Sequence, residues 1–295
     1  MKVIIDVGKG GHILRQESKK FNLILQQMII NIILIAGAIV VVIPFVWMIG
    51  TSLDLTANVQ LPFPPRFWPP DPTFRNYVIG FNNVPMYRYY FNTGIITVFA
   101  VIIGTLSGLS AGYAFSKIKF RFKRLLFMIF LATIMVPFEM TAIPKWRLFK
   151  AMGLLNTHAA VIIPYISYVM GSFLAKQYFD SLPNALKESA LIDGASEYAI
   201  FIRIYLPIAK PIVATLAILL FIGSWNSFLW PLLVMTKQNM YTIQIGIALF
   251  TANVDNIYPG VVMALAVIAI IPVVIVFLFF QRYIVESVAL TGMKQ

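Results

Sequence analysis

The 295-residue sequence is 60% hydrophobic and only 12% charged, which is well outside the composition of soluble globular domains. Its formal net charge of +12 would suit a nucleic-acid-binding protein, but the basic residues flank apolar stretches and do not gather on one face among aromatic side chains. The lack of Cys excludes disulfides and thiolate chemistry. These features predict a membrane protein.

A helix needs about 20 apolar residues to cross the hydrocarbon core of a membrane. Six stretches come close to that length, and the only charged residue inside them is Glu139. We therefore predict an all-α membrane protein with about six transmembrane helices, at residues 25–49, 92–116, 125–143, 159–175, 212–235 and 257–281.

The distribution of Lys and Arg predicts the orientation of these spans. An even number of spans places both termini on one side, and that side receives 16 of the 23 basic residues. Because cytoplasmic loops are enriched in Lys and Arg, we expect the N-terminal tail (1–24), the C-terminal tail (282–295) and the segment 181–207 to be cytoplasmic. The first 20 residues are polar and basic and do not have the pattern of a cleaved signal peptide.

The first external segment is rich in proline at residues 62–72, with the sequence PFPPRFWPPDP. Proline favours an extended path and precludes a regular helix here. Phe63, Phe67 and Trp68 are typical of a membrane–water interface. A rigid loop on the membrane surface and a docking surface for an external partner both fit this pattern.

A row of small residues runs along the second span, where Ala100, Gly104, Gly108 and Gly112 recur at every fourth position. Such a row lets a neighbouring helix backbone approach closely. Packing within the helix bundle and a moving interface between two subunits both need this arrangement.

Glu139 lies near the outer end of the third predicted span. A carboxylate inside a span is a functional-site hypothesis, because its burial must be offset by a partner or by water. It either lines a translocation path or reaches the interface and pairs with Lys145 or Arg147.

Trp225, Asn226 and Trp230 lie close together in the fifth predicted span. Aromatic faces with a nearby amide suit stacking and hydrogen bonding to a polyhydroxylated solute. With Glu139 they form a candidate substrate path. Anchoring at the membrane interface explains Trp230 equally well.

Motifs for catalysis and energy supply are absent from the sequence. There is no phosphate-binding loop of the G-x-x-x-x-G-K-[ST] type and no convincing set of catalytic side chains. His12 and His158 are isolated, so no metal site is predicted. We expect a non-catalytic, channel-forming subunit whose energy comes from another protein.

The segment 181–207, SLPNALKESALIDGASEYAIFIRIYLP, is amphipathic in a chain of mostly apolar runs. Ser181 is a typical helix N-cap, Asp193-Gly194 is a typical C-terminal break, and Ser196 with Glu197 opens a second helix. We predict a two-helix elbow with a Gly hinge, which by itself could be an interfacial amphipathic hairpin. Its apolar residues form one stripe on each helix: Leu182, Leu186 and Ala190 on the first, and Tyr198, Phe201, Ile202 and Tyr205 on the second.

The spacing within this elbow resembles a known signature. Glu188-Ser189-Ala190, three residues, Gly194, nine residues and Ile204-x-Leu206-Pro207 resemble the E-A-A-x3-G-x9-I-x-L-P signature of ABC importer permease subunits. Every gap matches, and Ser189 in place of Ala is the one departure. Further stretches resemble the carbohydrate-uptake subfamily, specifically the maltose-type second permease: AFSKIKFRFKR (114–124), IPKWRLFKAMGLLNT (143–157), SWNSFLWPLL (224–233) and the C-terminal FQRYIVESVALTGMKQ.

The resemblance implies the type I ABC importer permease fold, in which the elbow is a coupling helix seated in a groove of a cytoplasmic ATPase. Glu188 would make the polar contact, Gly194 would allow the turn, and Leu206-Pro207 would lead into the next span. The C-terminal residues 291–295 would also reach the ATPase. The residues expected at the docking surface are Glu188, Ser189, Ala190, Asp193, Gly194, Ile204, Leu206 and Pro207.

The resemblance also implies the partners: a second homologous permease, two copies of the ATPase and an extracellular solute-binding protein. No cofactor is expected in this chain, because ATP and Mg²⁺ would be bound by the partner ATPase. The expected function is import of a di- or oligosaccharide across the cell membrane at the expense of ATP.

Three alternatives remain open at the level of the sequence. A glycerol-phosphate permease would call for basic residues in the path. An ion-coupled secondary carrier would need titratable residues within its spans. A membrane scaffold with no transport role would make the spacing of the elbow a coincidence.

Overall fold

The computed structural model describes the backbone of residues 8–59, 62–251 and 258–292, and the side chains of these ranges except those of 8–23 and 282–292. Within these ranges the chain is helical and contains no strand, which confirms the all-α prediction. The helices are α1 (Gly8–Ser52), α2 (Arg75–Asn83), α3 (Met86–Lys117), α4 (Lys123–Ala132), α5 (Phe138–Ala151), α6 (His158–Ile162), α7 (Val169–Ser181), α8 (Ala185–Ile192), α9 (Glu197–Ile200), α10 (Leu206–Ile208), α11 (Lys210–Trp225), α12 (Leu229–Val234), α13 (Ile243–Thr251) and α14 (Pro259–Gly292).

Short segments of other helix types join several of these elements. A π-helical turn links α9 to α10, and the remaining segments are 3-10 turns. They lie at Thr56–Asn58, Thr133–Met135, Ile163–Ser167, Phe201–Tyr205 (the π turn) and Gln238–Met240.

Among the described residues, four helical segments are long and apolar enough to cross a membrane. They are Ile24–Ser52, Met86–Lys117, His158–Ser181 and Pro259–Gln281. Two bent helix pairs raise the number of spans to six if each pair counts as one. The range of four to six spans includes the number predicted from the sequence.

Helix α3 is the centre of the bundle and packs along α7 and α11. A Cβ atom on Gly104 would meet the Leu220 side chain on α11, and one on Gly108 would meet the backbone of Gly171 on α7. The row of small residues therefore brings α3 close to two neighbouring helices within this one chain.

Helix α1 lies at the periphery and packs against α14. The most apolar 18-residue stretch of Ile24–Ser52 has no buried residue within the chain. A helix with so many apolar side chains facing outward is stable in lipid or against another membrane subunit, and unstable in water.

The third predicted span is not one continuous helix. Residues 125–143 fall in two segments, Lys123–Met135 and Phe138–Ala151, whose axes differ by 99°. Pro137 causes the break, since it has no backbone N–H and it disfavours the helical conformation of Val136, whose backbone is extended. Glu139 is therefore in the first turn of α5 and is exposed.

The fifth predicted span, 212–235, also differs from a single helix. Helix α11 ends at Trp225, and the chain resumes a helix only at Leu229. In a continuous helix Pro231 would clash with the carbonyl group of Ser227. The break places Pro231 within the first turn of α12, where its missing N–H has no consequence.

The ends of the remaining spans in the structure differ by a few residues from the predicted ones. The fourth span reaches Ser181 and includes the 3-10 turn at Ile163–Ser167. Helix α14 continues past residue 281 to Gly292, while residue 257, the predicted start of the sixth span, lies outside the described residues.

The proline-rich segment has no helix at residues 62–74, as predicted. Phe63 is 96% exposed and Trp68 is 66% exposed. The segment is followed by α2, whose buried Asn76 donates hydrogen bonds to the carbonyl oxygens of Ser52 and Asp54 at 3.0 and 2.9 Å. These bonds fix α2 against the end of α1.

Candidate functional site

The elbow consists of α8 and α9, joined by a turn at Gly194. This glycine has φ of +78°, a conformation that few other residues adopt without strain. The hydroxyl oxygen of Ser196 accepts a hydrogen bond from the Ala199 N–H at 3.3 Å and caps α9. The predicted Gly hinge and the start of the second helix are therefore confirmed.

The predicted N-cap at Ser181 is wrong. Ser181 is the last residue of α7, and its hydroxyl group donates to the carbonyl oxygen of Tyr178 at 2.7 Å. Leu182 is extended, as expected for a residue that precedes a proline. Helix α8 begins after Asn184, beyond Pro183.

Two of the three residues of the first predicted apolar stripe face the body of the protein. Ala190 of α8 is buried, and Leu182, which precedes α8, packs against the same core cluster, which includes Tyr113 of α3 and Phe179 of α7. Ala190 and Leu182 therefore hold the elbow in place, while Leu186 is half-buried.

We predicted that the second helix presents its four apolar residues on one side, and this prediction is wrong. Tyr198 is 74% exposed, whereas Tyr205 is fully buried and Phe201 packs 5.0 Å from the ring of Tyr113. The π turn at Phe201–Tyr205 changes the number of residues per turn and so changes the face on which each side chain lies.

The exposed surface of the elbow combines acidic and apolar side chains, and we call it the elbow tip. It consists of Glu188, Leu191, Ile192, Asp193 and Tyr198, and Ile192 is 87% exposed. Large apolar side chains that lie together in the open, beside charged ones, are typical of a protein–protein contact. Sequence reasoning missed Leu191 and Ile192, although they lie three and four residues after Glu188 and so on its helix face.

The eight residues expected at the docking surface divide into two groups. Glu188, Ser189, Asp193 and Gly194 are exposed around the hinge. The others hold the elbow or connect it: Ala190 is buried, and Ile204 and Leu206 pack against the core cluster. Pro207 lies within α10, at the end of the segment Glu197–Ile208, whose axis differs by 81° from that of α11.

We call α8 with the residues just before it the first arm of the elbow, and α9 the second arm. Two lysines connect the first arm to the end of α3. The Lys117 ammonium group donates to the Leu182 carbonyl at 2.7 Å and to Asn184 Oδ1 at 2.8 Å. In return, the Lys187 ammonium group donates to the Lys117 carbonyl at 2.7 Å. Lys117 is only 8% exposed, so this crossed pair lies largely away from water.

Glu197 ties the second arm to the same helix. Its carboxylate forms an ion pair with Lys187 at 2.5 Å and accepts a hydrogen bond from the Tyr113 hydroxyl at 3.0 Å. Both arms of the elbow are thus bonded to α3, which is itself in close contact with α7 and α11.

Replacing Lys117 by Met should loosen the elbow without unfolding the bundle. The change leaves two acceptors with no protein donor, at a cost of about 1–3 kcal/mol for each one that stays buried. Hydrogen–deuterium exchange over residues 182–197 should become at least about fivefold faster. Lys119→Met is the matched control, because Lys119 is exposed in the loop that directly follows α3; equal exchange in both variants would contradict the assigned role.

The four candidate path residues do not share one environment. The indole N–H groups of Trp225 and Trp230 donate to the carbonyls of Ala269 and Ala160, each at 2.9 Å, and both rings are buried. This placement favours packing for both tryptophans.

Glu139 and Asn226 are exposed. In the part of the chain that the structure describes, Glu139 forms no ion pair with Lys145 or Arg147. The Lys145 ammonium group lies 4.9 Å above the Trp230 ring, and the Gln244 amide donates to Asn226 Oδ1 at 3.4 Å. Glu139 and Asn226 remain the accessible members of the predicted path.

Two further predictions concern tails and metals. Residues 293–295, at the end of the predicted C-terminal contact, lie outside the described residues. Within the ranges that are described, no group of three or more His, Asp and Glu side chains could hold a metal ion.

Comparison with known proteins places the chain in a family. Residues 100–290 match the family described as binding-protein-dependent transport system inner membrane component. The chain is 36% identical to the arabinooligosaccharides transport system permease protein of Halalkalibacterium halodurans, over 77% of this chain and 82% of that protein. It is 31% identical to the sn-glycerol-3-phosphate transport system permease protein of Yersinia enterocolitica, over 87% of this chain and 94% of that one.

A solved structure shares the fold. It comes from a bacterial ABC transporter involved in the import of the acidic polysaccharide alginate, with a TM-score of 0.77 and 26% identity over 88% of this chain and 96% of that chain. The matched family region runs from α3 to α14 and contains the whole elbow. This chain is therefore a membrane protein of the binding-protein-dependent transport system inner membrane component family, and it is a permease subunit of an ABC importer.

Proposed function

We propose that this subunit imports a di- or oligosaccharide and that ATP hydrolysis by a partner drives the import through the elbow tip. The observation that carries the proposal is the exposed group of Glu188, Leu191 and Ile192 on an elbow that is bonded to α3 at both arms. A surface of this kind needs a partner with an apolar groove and a basic or hydrogen-bonding rim.

The partners in this proposal are a pair of cytoplasmic ATPase subunits, a second homologous permease and an extracellular solute-binding protein. The ATPases bind ATP and Mg²⁺, so this chain catalyses no reaction. Both termini lie in the cytoplasm, in line with the excess of Lys and Arg on their side of the membrane. When the two ATPases approach each other, they move the elbow tip. The hydrogen bonds of Lys117 and Lys187 transmit this movement to α3.

The relative that transports arabinooligosaccharides supports an oligosaccharide as the substrate. The second candidate is glycerol phosphate, which is favoured by the Yersinia enterocolitica relative. A phosphate ester needs cationic side chains along its path. The six apolar stretches predicted from the sequence contain no Lys or Arg, and Lys145, in the second half of the bent third span, packs over the Trp230 ring. The oligosaccharide is therefore the better supported substrate.

Reconstitution of the whole transporter in lipid vesicles tests the proposal. With ATP and the solute-binding protein present, we expect uptake of at least one neutral probe sugar among arabinotriose, diacetylchitobiose and lactose, which represent the sugars named for three relatives, and none of sn-glycerol 3-phosphate. Uptake of glycerol phosphate alone would favour the second candidate. Uptake of any of these solutes without ATP would contradict coupling to an ATPase.

A further inference from the structure

A large cavity lies at the end of α3 opposite the elbow. It has a volume of about 1010 Å³ and lies between the Thr56–Asn58 turn, α2, the start of α3 and α13. Tyr89, which lines it, is 28 residues before Lys117 on α3, a distance of about 42 Å along the helix. The cavity is therefore on the outer side of the membrane if the elbow is cytoplasmic.

The lining of this outer cavity combines phenol rings with amide groups. Tyr89, Tyr241 and Tyr258 contribute the rings, and Asn58, Asn83 and Gln238 contribute the amides. The rings of Tyr89 and Tyr241 are 6.1 Å apart and inclined by 49°. Flat aromatic faces next to amide donors and acceptors match a sugar, which has apolar C–H faces and hydroxyl edges.

The polar groups of the cavity are held in place and keep capacity for a ligand. Tyr89 is 2% exposed and is fixed by its packing against Tyr241. The Tyr241 hydroxyl donates to the Thr236 carbonyl at 3.2 Å, and one Asn83 N–H donates to the Ile79 carbonyl at 2.9 Å. A phenol that donates still accepts, and an amide that gives up one N–H keeps a second donor and its carbonyl oxygen.

Of the described residues that line the outer cavity, none is charged. A phosphate or carboxylate ligand removed from water needs Arg, Lys or several strong donors to offset its desolvation. A neutral oligosaccharide needs only the donors and acceptors that are present. The described lining therefore offers no cationic side chain to glycerol phosphate or to an acidic polysaccharide.

We infer that the outer cavity is a binding site for a neutral oligosaccharide, through which this subunit receives the sugar before it enters the path. The inference rests on the proposed function and adds both a site and the absence of charge on the substrate. Tyr241 stacks on a sugar ring, while Asn83 and Gln238 bind its hydroxyl groups.

The site can be tested in vesicles that contain the complete transporter, ATP and the solute-binding protein. The probe is whichever of arabinotriose, diacetylchitobiose and lactose the unmodified transporter takes up. Asn83→Ala, Gln238→Ala and Tyr241→Ala should each lower its uptake about three- to tenfold, as expected for the loss of one or two contacts. Asn82→Ala is the matched control, because Asn82 is exposed on the same helix and does not line the cavity.

The outcomes separate this inference from the proposed function. If the three cavity variants transport like Asn82→Ala, the cavity is not a sugar site, while the proposed function stands. If the variants instead raise the concentration of solute-binding protein that half-saturates ATP hydrolysis, the cavity is a protein-docking surface and the inference fails. If the unmodified transporter takes up none of the neutral probes, the proposed function itself fails and the inference fails with it.

Discussion

Replacing Ile192 by Asp should lower ATP-driven sugar uptake at least about tenfold, because burial of an Ile side chain in a partner is worth about 1.5–3 kcal/mol and an Asp there would be desolvated without a partner. Ile192 is 87% exposed in the isolated chain, so the substitution removes no contact within the subunit. The protein should fold and insert normally, and the ATPase should no longer co-purify with it. Uptake is measured in vesicles and co-purification by affinity capture.

One control variant and two further elbow variants accompany this experiment. Phe63→Asp introduces the same charge at a side chain that is 96% exposed on the proline-rich segment, and it should leave ATPase capture unchanged. Glu188→Ala should weaken capture by less than Ile192→Asp, since it removes one polar contact at the edge of the tip. Gly194→Val should abolish uptake, because a β-branched residue is strongly disfavoured at φ of +78°. Normal uptake in all three elbow variants (Ile192→Asp, Glu188→Ala and Gly194→Val) would refute docking at this surface.

Replacing Gly112 by Ala should destabilise the bundle, although it adds a single methyl group. The new Cβ would lie 2.5 Å from the Ala175 Cβ and 2.8 Å from the backbone nitrogen of Lys176, so α3 and α7 must separate. Overpacking of this kind costs about 1–3 kcal/mol. Thermal denaturation of the detergent-solubilised subunit should show a transition several degrees lower, as expected for about 2 kcal/mol.

The same substitution at Gly94 provides the comparison within one helix. Apart from its chain neighbours and the backbone of its own helix, a Cβ on Gly94 would meet no atom within 4 Å. Because Ala favours a helix over Gly by up to about 1 kcal/mol, Gly94→Ala should leave the transition unchanged or raise it. Equal shifts in the two variants would mean that the close approach of α3 to α7 does not determine stability.

Local chemistry explains which features were predictable from the sequence. The hinge was predictable because the turn after α8 needs a positive φ, and Gly194 supplies it. The spans were predictable because long apolar runs have few other stable forms. The break at Pro137 could also have been predicted, since a proline at that position ends or kinks a helix, yet the apolar composition of 125–143 suggested continuity.

Features that depend on tertiary contacts were not predictable. Lys117 counted only as one more cytoplasmic charge, and nothing local indicates that it is buried and bonded to Leu182 and Asn184. Ile192 resembled any apolar residue of an amphipathic helix until the packing of Ala190 showed which face is covered. The outer cavity combines residues up to about 200 positions apart in the sequence, so no single motif indicates it.

The elbow tip is proposed as the contact with the ATPase, and one introduced thiol tests this contact most directly. The sequence has no Cys, so Ile192→Cys creates a single reactive thiol, and Lys119→Cys creates a comparison thiol on the exposed loop after α3. In the assembled transporter we predict that a maleimide no longer labels the thiol at position 192 and that a short bifunctional reagent links it to the ATPase, while removal of the ATPase restores labelling. Equal labelling at position 192 with and without the ATPase, and no crosslink, would contradict the account.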